Sequence, residues 1–307
     1  MFARAALCLL TALPLAAQEV AKPVDRQTRS FGAPGAPGQP GYRGTLDAAV
    51  AYVPDSGIRE GSVDRGDIDT FHSRVRYTGT FISGGAVNWS VGVEAESFRF
   101  GLDQTSLLPD NLGSITMPLG MTWQISSRWT FLGEVSPGIY SDFEDINSSD
   151  FNAPVIAGVS YAINPNLLLF LQVSVDPRRD IPVVGGPGIR WQINSQWALS
   201  ILMPRPRVEF RPNESWLVYA GGEIVGGAYQ IGTKHGTDRG DSQFDDVNMT
   251  YREIRAGVGA IWDIGGGFRV EGAAGWVFDR RFVVDERQRQ WNGEGAPYAR
   301  LQLSYRY

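Results

Sequence analysis

From residue 43 onward, large apolar side chains recur at every second position. Ile115, Met117, Leu119, Met121, Trp123 and Ile125 alternate with Thr116, Pro118, Gly120, Thr122 and Gln124. The same period runs through 89–96, 155–163, 254–264, 268–278 and 299–307. Successive side chains of a strand point to opposite faces, so this period predicts strands with one apolar and one polar face.

A second pattern marks the turns. Trp123-Gln-Ile-Ser-Ser-Arg-Trp129 and Trp191-Gln-Ile-Asn-Ser-Gln-Trp197 are nearly one heptapeptide, and Tyr161 with Leu167, Phe210 with Trp216, and Trp262 with Phe268 share its spacing. Residues placed symmetrically about a tight turn are expected opposite each other on one face of a hairpin. Trp123, Trp129, Tyr161, Trp191, Trp197, Phe210, Trp216, Trp262 and Phe268 then form an aromatic belt at one end of many hairpins, where a membrane–water interface selects it. A soluble sandwich would gather such rings in mid-strand instead.

Connections alternate in length. Short turns are expected near 82–85, 126–128, 164–166, 194–196, 212–215 and 265–267, and longer polar loops at 54–66, 101–110, 141–150, 176–182, 232–246 and 285–296. Strands are placed with starts near 44, 67, 86, 111, 129, 152, 167, 183, 196, 207, 215, 246, 267 and 296. The prediction is all-β: a closed, antiparallel, up-and-down transmembrane β-barrel of about 14 strands. Prolines interrupt the ninth and tenth strands, so 12 is the alternative; even counts are usual in bacterial barrels. Short turns would face the periplasm and long loops the outside.

Composition narrows the field. The net charge is −5 and no basic patch dominates, which excludes a nucleic-acid binder. No apolar run is long enough for a transmembrane helix. Residues 1–17, with Arg4 before an apolar stretch and small Ala16-Ala17, read as a cleaved signal peptide. Cys8 is the single cysteine, so cleavage would leave a mature chain without thiol chemistry. Residues 18–42 read as a linker: glycine recurs at every third position from Gly32 to Gly44 with prolines between, too few triplets for a triple helix, so an extended periplasmic tether is expected.

The polar faces should line the lumen. Arg74, Arg76, Glu94, Glu96, Glu134, Arg190, Glu223, Arg255, Arg269 and Glu271 are the principal lining candidates, with His72, Asp279, Arg281 and Arg300 beside them. They could be a selectivity lining for a solute pore, or ion pairs that hold a narrow interior together. Catalysis finds little support: His72 and Ser73 point to opposite faces, and His235 stands in a loop. No catalytic residue and no cofactor is assigned. Acidic groups at Asp142, Glu144, Asp145, Asp150 and at Asp238, Asp241, Asp245, Asp246 match no metal-loop spacing, so no metal is assigned and solvated loops are expected. Asp-Arg-Gly-Asp occurs at 64–67 and 238–241; it reads as a turn, with adhesion as the alternative.

The leader, repeated hairpins, aromatic-flanked turns and C-terminal aromatic strand resemble bacterial outer-membrane β-barrel proteins. The Trp-x-Ile-Ser/Asn-Ser turns are similar to those of a barrel family of unknown function. Leu301, Leu303, Tyr305 and Tyr307 resemble the insertion signal read by the barrel-assembly machinery, with tyrosine in place of the usual terminal phenylalanine. The resemblance implies an outer-membrane location, with lipid, lipopolysaccharide and that machinery as partners. The leading expectation for function is a passive channel for small polar solutes; the alternative is a non-conducting barrel with a structural or surface-binding role.

Overall fold

The computed structural model describes residues 41–102 and 107–307. The expected leader, and the tether up to residue 40, lie outside the described residues. Gly41 and Tyr42, assigned to the tether from sequence, already belong to the first strand.

The strands are β1 (Gly41–Glu60), β2 (Val63–Ile82), β3 (Val87–Leu102), β4 (Asn111–Thr116, continued by Leu119–Gln124), β5 (Trp129–Val135, continued by Gly138–Ser141), β6 (Phe151–Asn152, continued by Val155–Asn164), β7 (Leu167–Val175), β8 (Val183–Gln192), β9 (Trp197–Ile201), β10 (Arg207–Phe210), β11 (Trp216–Gln230), β12 (Asn248–Gly265), β13 (Phe268–Val284) and β14 (Arg289–Gly293, continued by Ala296–Arg306). Each pairs antiparallel with its predecessor, and β14 pairs with β1, so a 14-strand barrel closes on itself. At the seam Thr45 faces Arg306 and Tyr52 faces Ala299. Gly44 and Tyr307 exchange both backbone bonds, at 3.0 and 3.1 Å. Closure leaves no edge for lipid to meet.

The faces sort as the alternation requires. Val75, Val93, Ile115, Leu171, Val258 and Leu301 stand exposed outside, while Thr70, His72, Arg190, Glu223, Arg255 and Glu271 are buried inside. This inverts a soluble protein and suits a bilayer. A sandwich is ruled out, because among the described residues no second sheet covers the apolar face.

All the expected belt tryptophans sit at the short-turn rim, each 40–46% exposed. Their partners differ from the expected ones. Trp123 pairs with Phe131, and Trp129 with Tyr161 of the next strand, ring to ring at 4.7 Å. Trp197 packs on Phe210 at 4.7 Å, Trp216 stacks on Trp262 at 5.7 Å, and Phe268 stacks on Tyr305 at 4.4 Å. The three-residue turns offset the two flanking aromatics by one diagonal step, so the rings meet between hairpins rather than across their own turn. The belt thereby links neighbouring hairpins.

Two expected long loops are shorter than their polarity implied. β1 and β2 run on to a tight turn at Gly61, and β14 starts at Arg289 instead of 296. Above a bilayer, polar residues suit a water-exposed strand as well as a loop. The weak ninth and tenth strands exist, but as a short hairpin.

β4, β5 and β6 are each interrupted by a proline, and the interruptions line up. Gly92 donates to Pro118 O, Met117 to Pro137 O and Ser136 to Pro154 O, at 2.8–3.0 Å. Proline lacks the N–H a ladder needs, so this row lets the outer ends of the wall bend. Within β11, Gly226 has φ +116°. The outer ends of β5 and β11 then meet: Ser141 pairs with Gln230, and Asp142 N donates to Gln230 O at 3.1 Å. The barrel is therefore two-tiered. All strands form the wide tier near the short turns. β6–β10 stop below a narrower outer tier made by the rest.

At the seam Tyr77 Oη lies 3.0 Å from Tyr307 Oη and also contacts the Tyr42 hydroxyl. Tyr307→Asp should place a charge on this interface and cut the folded, heat-modifiable barrel in envelope fractions severalfold. Unchanged levels on a cold gel would refute this role.

Candidate functional site

The wide tier is lined by paired charges, and sequence parity had placed most of them. Arg74 reaches Glu94 at 2.8 Å. Arg76 contacts Glu94 at 3.3 Å and Glu134 at 2.7 Å, reaching past two intervening strands. His72 meets Glu96 at 2.9 Å and stacks on Phe98 at 4.2 Å. Across the wall, Arg190 pairs with Glu209 at 3.2 Å and Arg205 with Glu223 at 2.5 Å. Arg300 holds Glu271 and takes the Tyr219 hydroxyl at 3.1 Å. Arg269 pairs with Asp263 at the short-turn rim, 3.1 Å away. Charges in a low-dielectric interior must be compensated, and the strands supply alternating signs.

Arg255 pairs with Glu253 at 2.6 Å, and Arg280 approaches the other carboxylate oxygen at 3.4 Å. All three side chains are fully buried. Glu253 was legible, because it shares parity with Arg255. Glu209 was equally legible opposite outward Phe210. Arg280 was not. A β-bulge slips the register between Ile254–Asp279 and Arg255–Val277. Beyond it Arg280, Phe282 and Val284 are buried. Asp279 and Arg281, expected in the lumen, therefore turn outward, where Asp279 pairs with Arg252 at 3.1 Å and with Arg281 at 2.6 Å.

The outer tier is filled. Phe98 and Phe100 of β3 reach Tyr251 of β12 at 5.0 and 5.1 Å, and Phe100 reaches Phe282 of β13 at 5.0 Å. Ile58, Ile68, Leu112, Met249 and Trp291 are among the other members of the cluster. Rings from opposite walls touch, so this tier is a packed apolar core rather than a pore.

Beside that core the wall is incomplete. β8 pairs with β9 only from Ile189 to Gln192, and Val183–Gly188 has no strand partner on that side among the described residues. From β11, Gly222 and Ile224 donate to Pro206 O and Pro204 O, at 2.8 and 3.0 Å. Above them the short β9–β10 hairpin is absent. Ile201 stands four residues above Trp197, about 10 Å at barrel tilt, against an apolar band of about 25 Å. The gap thus opens in the half of the bilayer away from the short turns. Its inner side has room: a Cβ on Gly186 would meet nothing within 4 Å.

One loop spans the gap. Residues 176–182 leave β7, and Arg179 donates to Gly226 O of β11 at 3.1 Å, while Asp180 N donates to Thr250 Oγ1 of β12 at 3.0 Å. Asp176 anchors the near end, accepting from Arg179 Nε at 3.2 Å and Asn152 Nδ2 at 2.9 Å.

The cap holds a cluster that contradicts the expectation of merely solvated acidic loops. Asp142 and Glu144 come together with His235, their ligand atoms within 4.8 Å of one another, and both Asp142 and His235 are buried. Burial pushes the Asp142 carboxyl above its ordinary range. Sequence reasoning missed this because the residues lie some ninety positions apart and meet only through the β5–β11 contact. The turn expected at both Asp-Arg-Gly-Asp segments is found at 238–241, where Gly240 has positive φ; Asp64–Asp67 instead lies within β2, where positive-φ Gly66 sits at a β-bulge.

Residues 83–306 match a family model described as a domain of unknown function, DUF6268. No curated protein matches the sequence. Among solved structures, similar folds include the toluene transporter TodX of P. putida, at 11% identity over 91% of this chain and 92% of that one, TM-score 0.45. They include the toluene transporter TbuX of Ralstonia pickettii, at 10% identity over 94% and 96%, TM-score 0.41. The COG4313 outer membrane channel from Pseudomonas putida F1 is similar at 7% identity over 86% and 95%, TM-score 0.47.

Glu253→Ala should leave two buried guanidiniums without a counter-charge and destabilise the barrel by about 3–5 kcal/mol. Arg269→Ala, at the partly exposed rim pair, should cost less, about 1 kcal/mol. Urea unfolding of the refolded protein in lipid measures both. Equal effects would show that the Glu253 cluster is hydrated rather than buried.

Proposed function

The chain belongs to the DUF6268 family, and we propose that it is an outer-membrane channel, closed in this conformation, whose solute route leaves the charged lumen sideways through the gap between β8 and β11. The observation that carries this reading is the unpaired stretch of β8 at membrane depth. Backbone polar groups there must be satisfied, and irregular or unpaired backbone is tolerated in a membrane only where it lines a water-filled cavity or is covered by protein. The space inside Gly186 supports the first of these states, and the loop 176–182 the second. The axial route is closed by the aromatic core, so displacement of that loop is the least costly way to open the lumen.

The lining fits small solutes. Arginines and carboxylates alternate and neutralise one another, which favours polar groups without strong selection for one sign of charge. The rim of the gap is apolar, with exposed Ile181, Val183 and Met203. A solute with both a polar and an apolar part suits both surfaces. Short turns lie in the periplasm in this reading, and the cap faces outward beside lipopolysaccharide. The packed outer tier favours a second reading, a non-conducting barrel with a surface role.

Single-channel recording in planar bilayers distinguishes them. The wild-type protein should show rare, brief openings. Arg179→Ala removes a charged hydrogen bond worth about 1.5–3 kcal/mol, so open probability should rise tenfold or more. Gly186→Trp should fill the route and suppress the current without unfolding the barrel. Silence from folded wild-type and Arg179→Ala protein alike would overturn the channel and leave the surface role.

A further inference from the structure

We propose that Asp142, Glu144 and His235 form a site for a divalent transition-metal ion that clasps the extracellular loops over the outer tier. The argument begins with the histidine tautomer. His235 Nε2 lies 3.0 Å from the Leu107 carbonyl, which can only accept, so Nε2 carries a proton. In the neutral ring the lone pair is then on Nδ1. That atom faces Glu144 Oε2 at 3.3 Å and Asp142 Oδ2 at 3.8 Å. A backbone carbonyl holding the far nitrogen is the usual way a ligating imidazole is oriented.

With Nδ1 unprotonated, the charges do not balance without a further cation. Two carboxylates and a lone pair converge where His235 and Asp142 have almost no solvent exposure. The cation beside them is the Arg239 guanidinium, 3.0 Å from Nδ1 and 3.2 Å from Glu144 Oε1. It neutralises one carboxylate and leaves a net negative charge. Asp142 is already pinned, accepting from Gly232 N at 2.8 Å and Glu144 N at 3.1 Å. The cluster therefore has a rigid carboxylate, an oriented imidazole and a half-exposed Glu144 able to turn inward.

The spacing suits a small ion. Ligands about 2.0–2.2 Å from zinc in a tetrahedron stand roughly 3.4 Å apart. The imidazole–Glu144 separation already matches, and Asp142 is within half an ångström of it. On binding, Arg239 gives up Nδ1 and keeps its bond to Glu144. The nitrogen ligand favours zinc or a similar ion over calcium, which prefers an all-oxygen shell. Such an ion would join three connections: the one carrying Leu107, the one after β5 and the one after β11.

Zinc titration of the refolded full chain, by calorimetry and thermal unfolding, tests the site. The expected result is one Zn²⁺ per chain with a raised unfolding midpoint. His235→Gln keeps a donor for Leu107 but removes the Nδ1 ligand, and should weaken binding at least tenfold, as should Asp142→Asn; the exposed Asp238→Asn should bind normally. If the variants misfold, X-ray absorption of the wild-type zinc complex still decides: one imidazole nitrogen among oxygens supports the site. An all-oxygen shell, unchanged binding by His235→Gln, or a protonated His235 with no zinc bound at micromolar metal would overturn it.

Discussion

The constraint on which the molecule depends is that hydrocarbon supplies no hydrogen-bond partner to a peptide group. Fourteen strands satisfy it collectively by closing β14 on β1. Once the sheet is a cylinder, the two sides of each strand meet different solvents, and the period-two sequence follows. Outward positions must be apolar. Inward positions are freed for charge, but only if each charge finds an opposite within reach. The Arg74–Glu94–Arg76–Glu134 chain and the Glu253 cluster are what that requirement produces.

The same constraint makes the irregular parts informative. A proline row, a glycine at positive φ and a truncated hairpin would be unremarkable in a soluble loop region. In a membrane wall each must be compensated. The proline row is compensated by carbonyls that accept from the adjacent strand, Gly226 by the Arg179 guanidinium, and the short β9–β10 hairpin by the loop 176–182. These compensations meet along one side of the barrel. That side therefore differs physically from the opposite one, where β12, β13, β1 and β2 run as single long strands to the cap.

Much of this was legible in the residues. Alternation gave the strands and their faces, and the aromatic-flanked turns gave the rim. Parity alone placed Arg76 and Glu94, and Arg300 and Glu271, on the inward face; strand register then paired them. Legibility ended where the period slipped or where distance along the chain was large. The bulge before Asp279 exchanged the inside for the outside over the last residues of β13, so Asp279 and Arg281 were misplaced and Arg280 was missed. Nothing local in Asp142 announces His235. The narrowing of the outer tier brings them together, and that narrowing arises from three prolines whose alignment depends on strand register.

The seam has a consequence for the order of folding. Every other antiparallel pair of successive strands is joined by a turn or loop of modest length, whereas Thr45 and Arg306 are separated by almost the whole barrel chain. Bringing such distant residues together costs about 4 kcal/mol more in chain entropy than closing a three-residue turn. Hairpins should therefore form early and the seam last, leaving a late intermediate that is a curved open sheet with two raw edges. Such a sheet is self-complementary in the wrong sense: its edges can pair with another unfinished copy. The tyrosine contacts among Tyr42, Tyr77 and Tyr307 lie where the correct edges meet, and they give intramolecular pairing a head start over that association.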